Sequence, residues 1–306
     1  MNMKKPLINT LLIAGLAFSA PLWAKTDKPV LSDSQQAASD QAIARQQGKQ
    51  NAMLEAINEN VVAGFAKVQE AARLLTQEGK EKEAIAALEA ATAKFDIALT
   101  AKPDLSLVPI DSRVAIAELI TTPDLIADAA DTAVDLLKDG KLQAARKLLL
   151  PLRDEMVTET VLLPMETYPE AIKLATAELI KGDKEKALSI LDEAFNTFVV
   201  MRSVLPLSLL RAEAFIIEAA KLDKEKDKDK AIKLVEAAQQ QLEVAVLLGY
   251  ADEKSRAYKD LQDLAKDLRK EIDGPNAVEK LYFRLKQGLR KLIGEESRQK
   301  TVESGK

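Results

Sequence analysis

Three times along this chain a glycine is followed five positions later by alanine and nine positions later by leucine. The copies are Gly79, Ala84 and Leu88; Gly140, Ala145 and Leu149; and Gly182, Ala187 and Leu191. A leucine also stands three or four places before each glycine: Leu75, Leu137 and Leu179. Glycine ends a helix because it takes the left-handed backbone without a steric penalty, and alanine lets the returning helix approach closely. The motif therefore calls for helical hairpins with tight turns, like those of tetratricopeptide repeats. A fourth copy, Ala231 and Val235, has Lys226 in place of the glycine. The glycines are unevenly spaced, which rules out a regular solenoid.

The apolar spacing between the turns agrees. Met53, Ile57, Val61, Phe65, Val68, Ala72 and Leu75 step by three or four residues, the period of one helix face. Ile85, Leu88, Phe95 and Leu99 continue the pattern on a second helix. Residues 101–113 break it, because Pro103 and Pro109 forbid a continuous helix. At Thr122-Pro123-Asp124 a helix restarts, with a capping residue, a proline for the first turn and a carboxylate at the positive helix end. Ala, Leu, Glu and Lys, all good helix formers, are abundant, and hairpin-turn signals for strands are lacking. The predicted fold class is all-α: an irregular bundle of helical hairpins, with two further helices as a C-terminal extension.

The N-terminus has the order of a secretory signal. Lys4 and Lys5 precede an apolar run from Leu7 to Phe18, and Ala24 is the expected last residue removed. The run is shorter than the ~20 residues that span a bilayer as a helix, so cleavage and a periplasmic location are expected. Residues 25–50 are rich in Gln, Ser, Asp and Lys and read as a disordered tether with some helix near its end. The expected division is therefore a leader (1–24), a tether (25–50), a helical domain (51–250) and an extension (251–306).

Composition excludes whole classes of chemistry. The chain has no histidine and no cysteine, and its one tryptophan, Trp23, falls in the leader. Cys–His and Ser–His–Asp catalysis are impossible, as are the usual zinc, copper and haem sites. No cofactor and no enzymatic activity are expected. The net charge is −4, and loss of Lys4 and Lys5 makes it more negative, so nucleic acid is not an expected partner.

Four features are candidates for recognition. From Val278 to Ile293 one helix face is apolar, with Leu281, Leu285 and Leu289, while Lys280, Arg284, Lys286, Arg290 and Lys291 occupy the rest. Such a helix either meets an anionic membrane or acidic partner, or packs on its own acidic chain. The pairs Leu163-Pro164 and Leu205-Pro206 either open buried helices or line a groove with kinks. Asp128, Asp131 and Asp135 recur at helical spacing without a calcium-loop pattern, and read as a stabilising helix face. The alternating charges from Lys221 to Lys230 read as a solvated turn.

Several short segments carry a family likeness. They are Glu159-Thr160-Val161-Leu162-Leu163-Pro164-Met165, Leu179-Ile180-Lys181-Gly182-Asp183-Lys184, Val114-Ala115-Ile116-Ala117-Glu118, Thr122-Pro123 and Lys138-Asp139-Gly140-Lys141. In their order they resemble the YfdX family of bacterial stress-associated proteins, over about residues 52–250. The resemblance implies an exported, helical and often homo-oligomeric protein linked to acid, heat or drug stress. It supplies no catalytic residues. Smaller members end near the position of Tyr250, so the helices beyond it are not explained by the family. The expected function is holdase-like or small-ligand binding in the envelope, with stressed or unfolded envelope proteins as partners. The alternative is a scaffold that docks one envelope partner, or the membrane surface, through the last helix.

Overall fold

The computed structural model of the protein describes residues 30–55, 58–299 and 302–303. The expected leader, the first residues of the tether, Ile57 and the side chain of Met53 lie outside the described residues. Helix dominates, but the all-α expectation needs correction, because a four-stranded sheet is present with strand order β1-β2-β3-β4. Its members are β1 (Leu107–Ala117), β2 (Glu155–Pro164), β3 (Val199–Pro206) and the two-residue β4 (Val302–Glu303), which pairs antiparallel with β3.

The local reasons for the strands are visible in retrospect. Val157, Thr158, Thr160 and Val161 in β2, and Val199, Val200 and Val204 in β3, are β-branched residues that pack well on a pleated surface. Pro109 is tolerated because β1 lies at a sheet edge, where a missing N–H costs no ladder bond. Pro164 and Pro206 end β2 and β3, and Pro206 is also the N-cap of a buried helix.

The chain divides into two compact units. The smaller comprises Lys49–Arg113, Thr158–Arg202 and the C-terminal Val302–Lys306. It contains two hairpins: α2 (Glu59–Leu75) with α3 (Glu81–Ala101), and α6 (Tyr168–Ile180) with α7 (Lys184–Phe195). The hairpins pack on each other, α3 against α6 and α2 against α7. The predicted helix from Asn51 to Leu75 is interrupted. Asn58 caps a new start, its side-chain oxygen accepting the N–H groups of Asn60 at 3.1 Å and Val61 at 3.3 Å. Gly182, at φ +88°, directly follows the C-cap of α6 as the motif demands, whereas α2 ends at Leu75 and Gly79, at φ +73°, lies within the turn that follows. Their partners Ala84, Leu88, Ala187 and Leu191 are all buried. Gly64 is needed for a different reason: a Cβ there would lie 2.7 Å from the Phe95 ring, which is fully buried.

The larger unit comprises residues up to Gly48, Val114–Val157 and Ser203–Thr301. Most of the expected tether is helical: α1 runs Asp33–Glu55 and is anchored by Leu31, Ala38, Ser39 and Ala42, which are buried. Its polar composition gave no hint of these few small contact residues. A hairpin of α4 (Pro123–Lys138) and α5 (Leu142–Leu149) is joined at the third glycine, Gly140, at φ +73°. The central element is α8 (Leu207–Ala219), buried on nearly every face between α9 (Lys228–Leu247) and α11 (Glu279–Gln299). α10 (Arg256–Asp273) packs on both α9 and α11. The two helices beyond Tyr250 therefore share one core with α8 and α9.

Candidate functional site

Two arrangements in the larger unit stand out, one wholly internal and one open. The internal one is built around Arg211 on α8, whose side chain is 1% exposed. Its guanidinium meets Asp154, the residue just before β2, through both carboxylate oxygens, Nη1 to Oδ2 at 2.8 Å and Nη2 to Oδ1 at 3.0 Å. Nε donates to Ser39 on α1 at 3.1 Å, Nη1 to Gln241 on α9 at 3.3 Å and Nη2 to Glu118 at 3.1 Å. All five N–H groups of the guanidinium are thus engaged. Asp154 Oδ1 also accepts the N–H of Leu119 at 3.1 Å. The Asp154 backbone N–H donates to the Tyr250 hydroxyl, which donates to Glu155 at 2.8 Å.

Burial pushes the Asp154 carboxyl up, against the pull of the charge and hydrogen bonds of Arg211. For Arg211, burial pulls down, but the carboxylates of Asp154 and Glu118 outweigh it and hold the group above its ordinary value. Any proton the pair takes therefore goes to Asp154. With every guanidinium N–H occupied, none is left to meet a ligand. The network joins α1, α8, α9 and the start of β2, and its role is to specify their packing. Sequence reasoning missed it, although one signal was there. Leu209 to Ile217 is apolar around the helix except for Arg211 and Glu213, and a charge inside such a helix needs an internal partner.

The open arrangement is the α4–α5 hairpin. At its turn the N–H of Lys141 donates to the carbonyl of Leu136 at 2.8 Å and that of Gly140 to Leu137 at 3.0 Å, which closes the helix end. Ile126, Ala129, Ala133 and Ala145 face inward. On the outside, Leu137, Leu142, Leu149 and Leu150 are 43–62% exposed. With Arg146 and Arg153 they line a groove of about 290 Å³. Leu149 is the repeat leucine of this hairpin; its counterparts Leu88 and Leu191 are 0% and 2% exposed.

The residues singled out from the sequence fall elsewhere. On α11, Leu285 and Leu289 are buried in the core of the larger unit and Leu281 packs against it. Lys280, Arg284 and Lys291 are exposed, Lys286 is half-buried and Arg290 pairs with Glu213. The apolar face of α11 is thus used internally. Of the Leu-Pro pairs, Leu163 lies in the core of the smaller unit, while Leu205 packs against that of the larger. Asp128, Asp131 and Asp135 are exposed along α4. Among the described residues no helix is long and apolar enough to cross a membrane.

Comparison with known proteins places part of the chain. Residues 65–204 match the family described as YfdX protein. A solved crystal structure of YfdX from Salmonella Typhi is similar at 17% identity and a TM-score of 0.35, over 49% of this chain and 93% of that one. No curated protein matches the chain.

Proposed function

Because residues 65–204 match the YfdX family, we propose that this chain is a non-catalytic protective protein of the bacterial cell envelope. In this reading it binds apolar segments exposed by stressed proteins, and needs neither cofactor nor nucleotide. The observation that carries the reading is the α4–α5 groove, where four large leucine side chains stay open to solvent beside two arginines. Contiguous exposed apolar side chains are rare on soluble chains unless something covers them. The signal-like N-terminus supports export, and the family resemblance supports a link to stress. The rival reading, docking through the basic face of α11, keeps the cations and the exposed Phe283 but loses Leu285 and Leu289, which are buried in the core.

The test is suppression of client aggregation under heat or acid, with the wild-type chain and with Leu142→Ser/Leu149→Ser. The protective reading expects suppression by the wild type and its loss in the variant. Equal suppression by both, or none by either, removes it.

A further inference from the structure

The geometry points to an acidic amphipathic helix as the occupant of the α4–α5 groove, bound through leucine-sized side chains and through carboxylates that meet Arg146 and Arg153. This inference rests on the groove being the protein-binding site assigned above, and adds the chemistry of what it takes.

The chain contains its own comparison. The same Gly-x4-Ala-x3-Leu code builds three hairpins. In the two of the smaller unit, the leucine of the returning helix is buried, and each hairpin is covered by helices of the other. The third hairpin carries the same leucine, Leu149, on α5, which packs principally on α4. α9 packs on α4, but Leu149 and Leu142 on α5 stay exposed. The surface is therefore shaped for a helix, whose side chains at i, i+3 and i+4 fill such a groove.

Charge selects among helices. Between residues 138 and 153 the chain carries Lys138, Lys141, Arg146, Lys147 and Arg153 against one carboxylate, Asp139. Lys138 and Lys141 are paired with Asp135 and Asp139, but among the described residues no carboxylate bridges to Arg146, Lys147 or Arg153. The groove rim is cationic with an apolar floor. A second copy of the same hairpin would set these arginines against one another, and like charges in contact oppose binding. A helix with glutamates flanking a leucine stripe satisfies both floor and rim.

The test uses the full chain and synthetic helices of about 18 residues, roughly five turns. One carries a leucine stripe flanked by glutamates; the other has lysines in their place. Vesicles containing phosphatidylglycerol are the third probe. The expected result is binding of the acidic helix, weakened by salt, with the basic helix bound about tenfold or more weakly. Arg146→Glu/Arg153→Glu should reverse that preference, and Leu142→Ser/Leu149→Ser should abolish binding of both. All four positions are exposed, and an unchanged melting curve verifies folding. Equal binding of the two helices, capture by vesicles alone, or self-association that the leucine substitutions abolish while neither helix binds, overturns the inference. The aggregation assay separates the two claims. If charge preference is absent but Leu142→Ser/Leu149→Ser loses suppression, only the acidic-helix inference fails. If that variant suppresses fully, the assigned site itself is wrong.

Discussion

Arg211 and Asp154 form a two-toothed ion pair at 2.8 and 3.0 Å, with side chains 1% and 0% exposed. Neither charge has water to fall back on, so each depends on the other. Removing one partner leaves the other buried and unpaired, at a cost of about 3–5 kcal/mol. We expect Asp154→Ala and Arg211→Ala each to lower the melting temperature sharply. A double variant with apolar residues of similar volume, Arg211→Met/Asp154→Leu, should lose less than the sum of the singles. A double-mutant cycle by thermal or chemical denaturation checks this, and additivity would show that the pair is not coupled.

The repeat leucines offer a second comparison. Leu88→Ala and Leu191→Ala remove buried side chains and should each cost about 2–5 kcal/mol. Leu149→Ala, at the same motif position, removes a side chain already 43% exposed and should stay within about 1 kcal/mol of the wild type. Denaturant midpoints of the three variants decide the matter; a large loss at Leu149 would mean that the groove is covered.

Truncation tests α11. Deleting residues 276–306 removes Val278, Tyr282, Leu285, Leu289 and Leu292, all buried in the larger unit. Each such side chain contributes roughly 1.5–3 kcal/mol on burial, and a domain's whole stability is about 5–15 kcal/mol. The truncated chain should aggregate or melt far earlier. An unchanged melting temperature would restore the view of this helix as an external docking element.

Gly64→Ala should destabilise the smaller unit despite the better helix propensity of alanine. The added carbon would sit 2.7 Å from the Phe95 ring, and overpacking costs about 1–3 kcal/mol against a propensity gain of at most ~1 kcal/mol. Hydrogen exchange over residues 59–101 should report the loss.

Acid should act below the carboxylate range. Hydrogen bonds from Lys67, Lys184, Lys80 and Lys181 hold Glu70, Glu81, Glu83 and Glu178 below their ordinary value of 4.5. A depressed carboxyl contributes stability that is complete above its unfolded pKa and is lost as pH falls through its folded one. Asp154 has the opposite sign, since burial raises it; its contribution is present at low pH and is lost as pH rises through its folded value. The chain has no histidine to titrate near neutrality. We therefore expect no structural change from pH 7 to about 5.5, then loosening below about pH 4.5. Hydrogen exchange measured across this pH range checks it; a cooperative transition near pH 6 would contradict it.

Much of this protein was legible residue by residue. The glycines at 79, 140 and 182 do take the left-handed backbone, and the alanines after them are buried, because a helix stop and a close approach are local demands. The break after Lys102 was legible as a break, since proline forbids helix there whatever surrounds it. Its identity as strand β1 was not, because a strand is stabilised by neighbours distant in sequence. The same limit hid Arg211, whose acceptors come from α1, α9 and the segments around Glu118 and Asp154. It also separated Leu149 from Leu88 and Leu191. One local code wrote all three, and only tertiary packing decided which had a helix to cover it, because burial belongs to what lies opposite a side chain and not to the side chain itself.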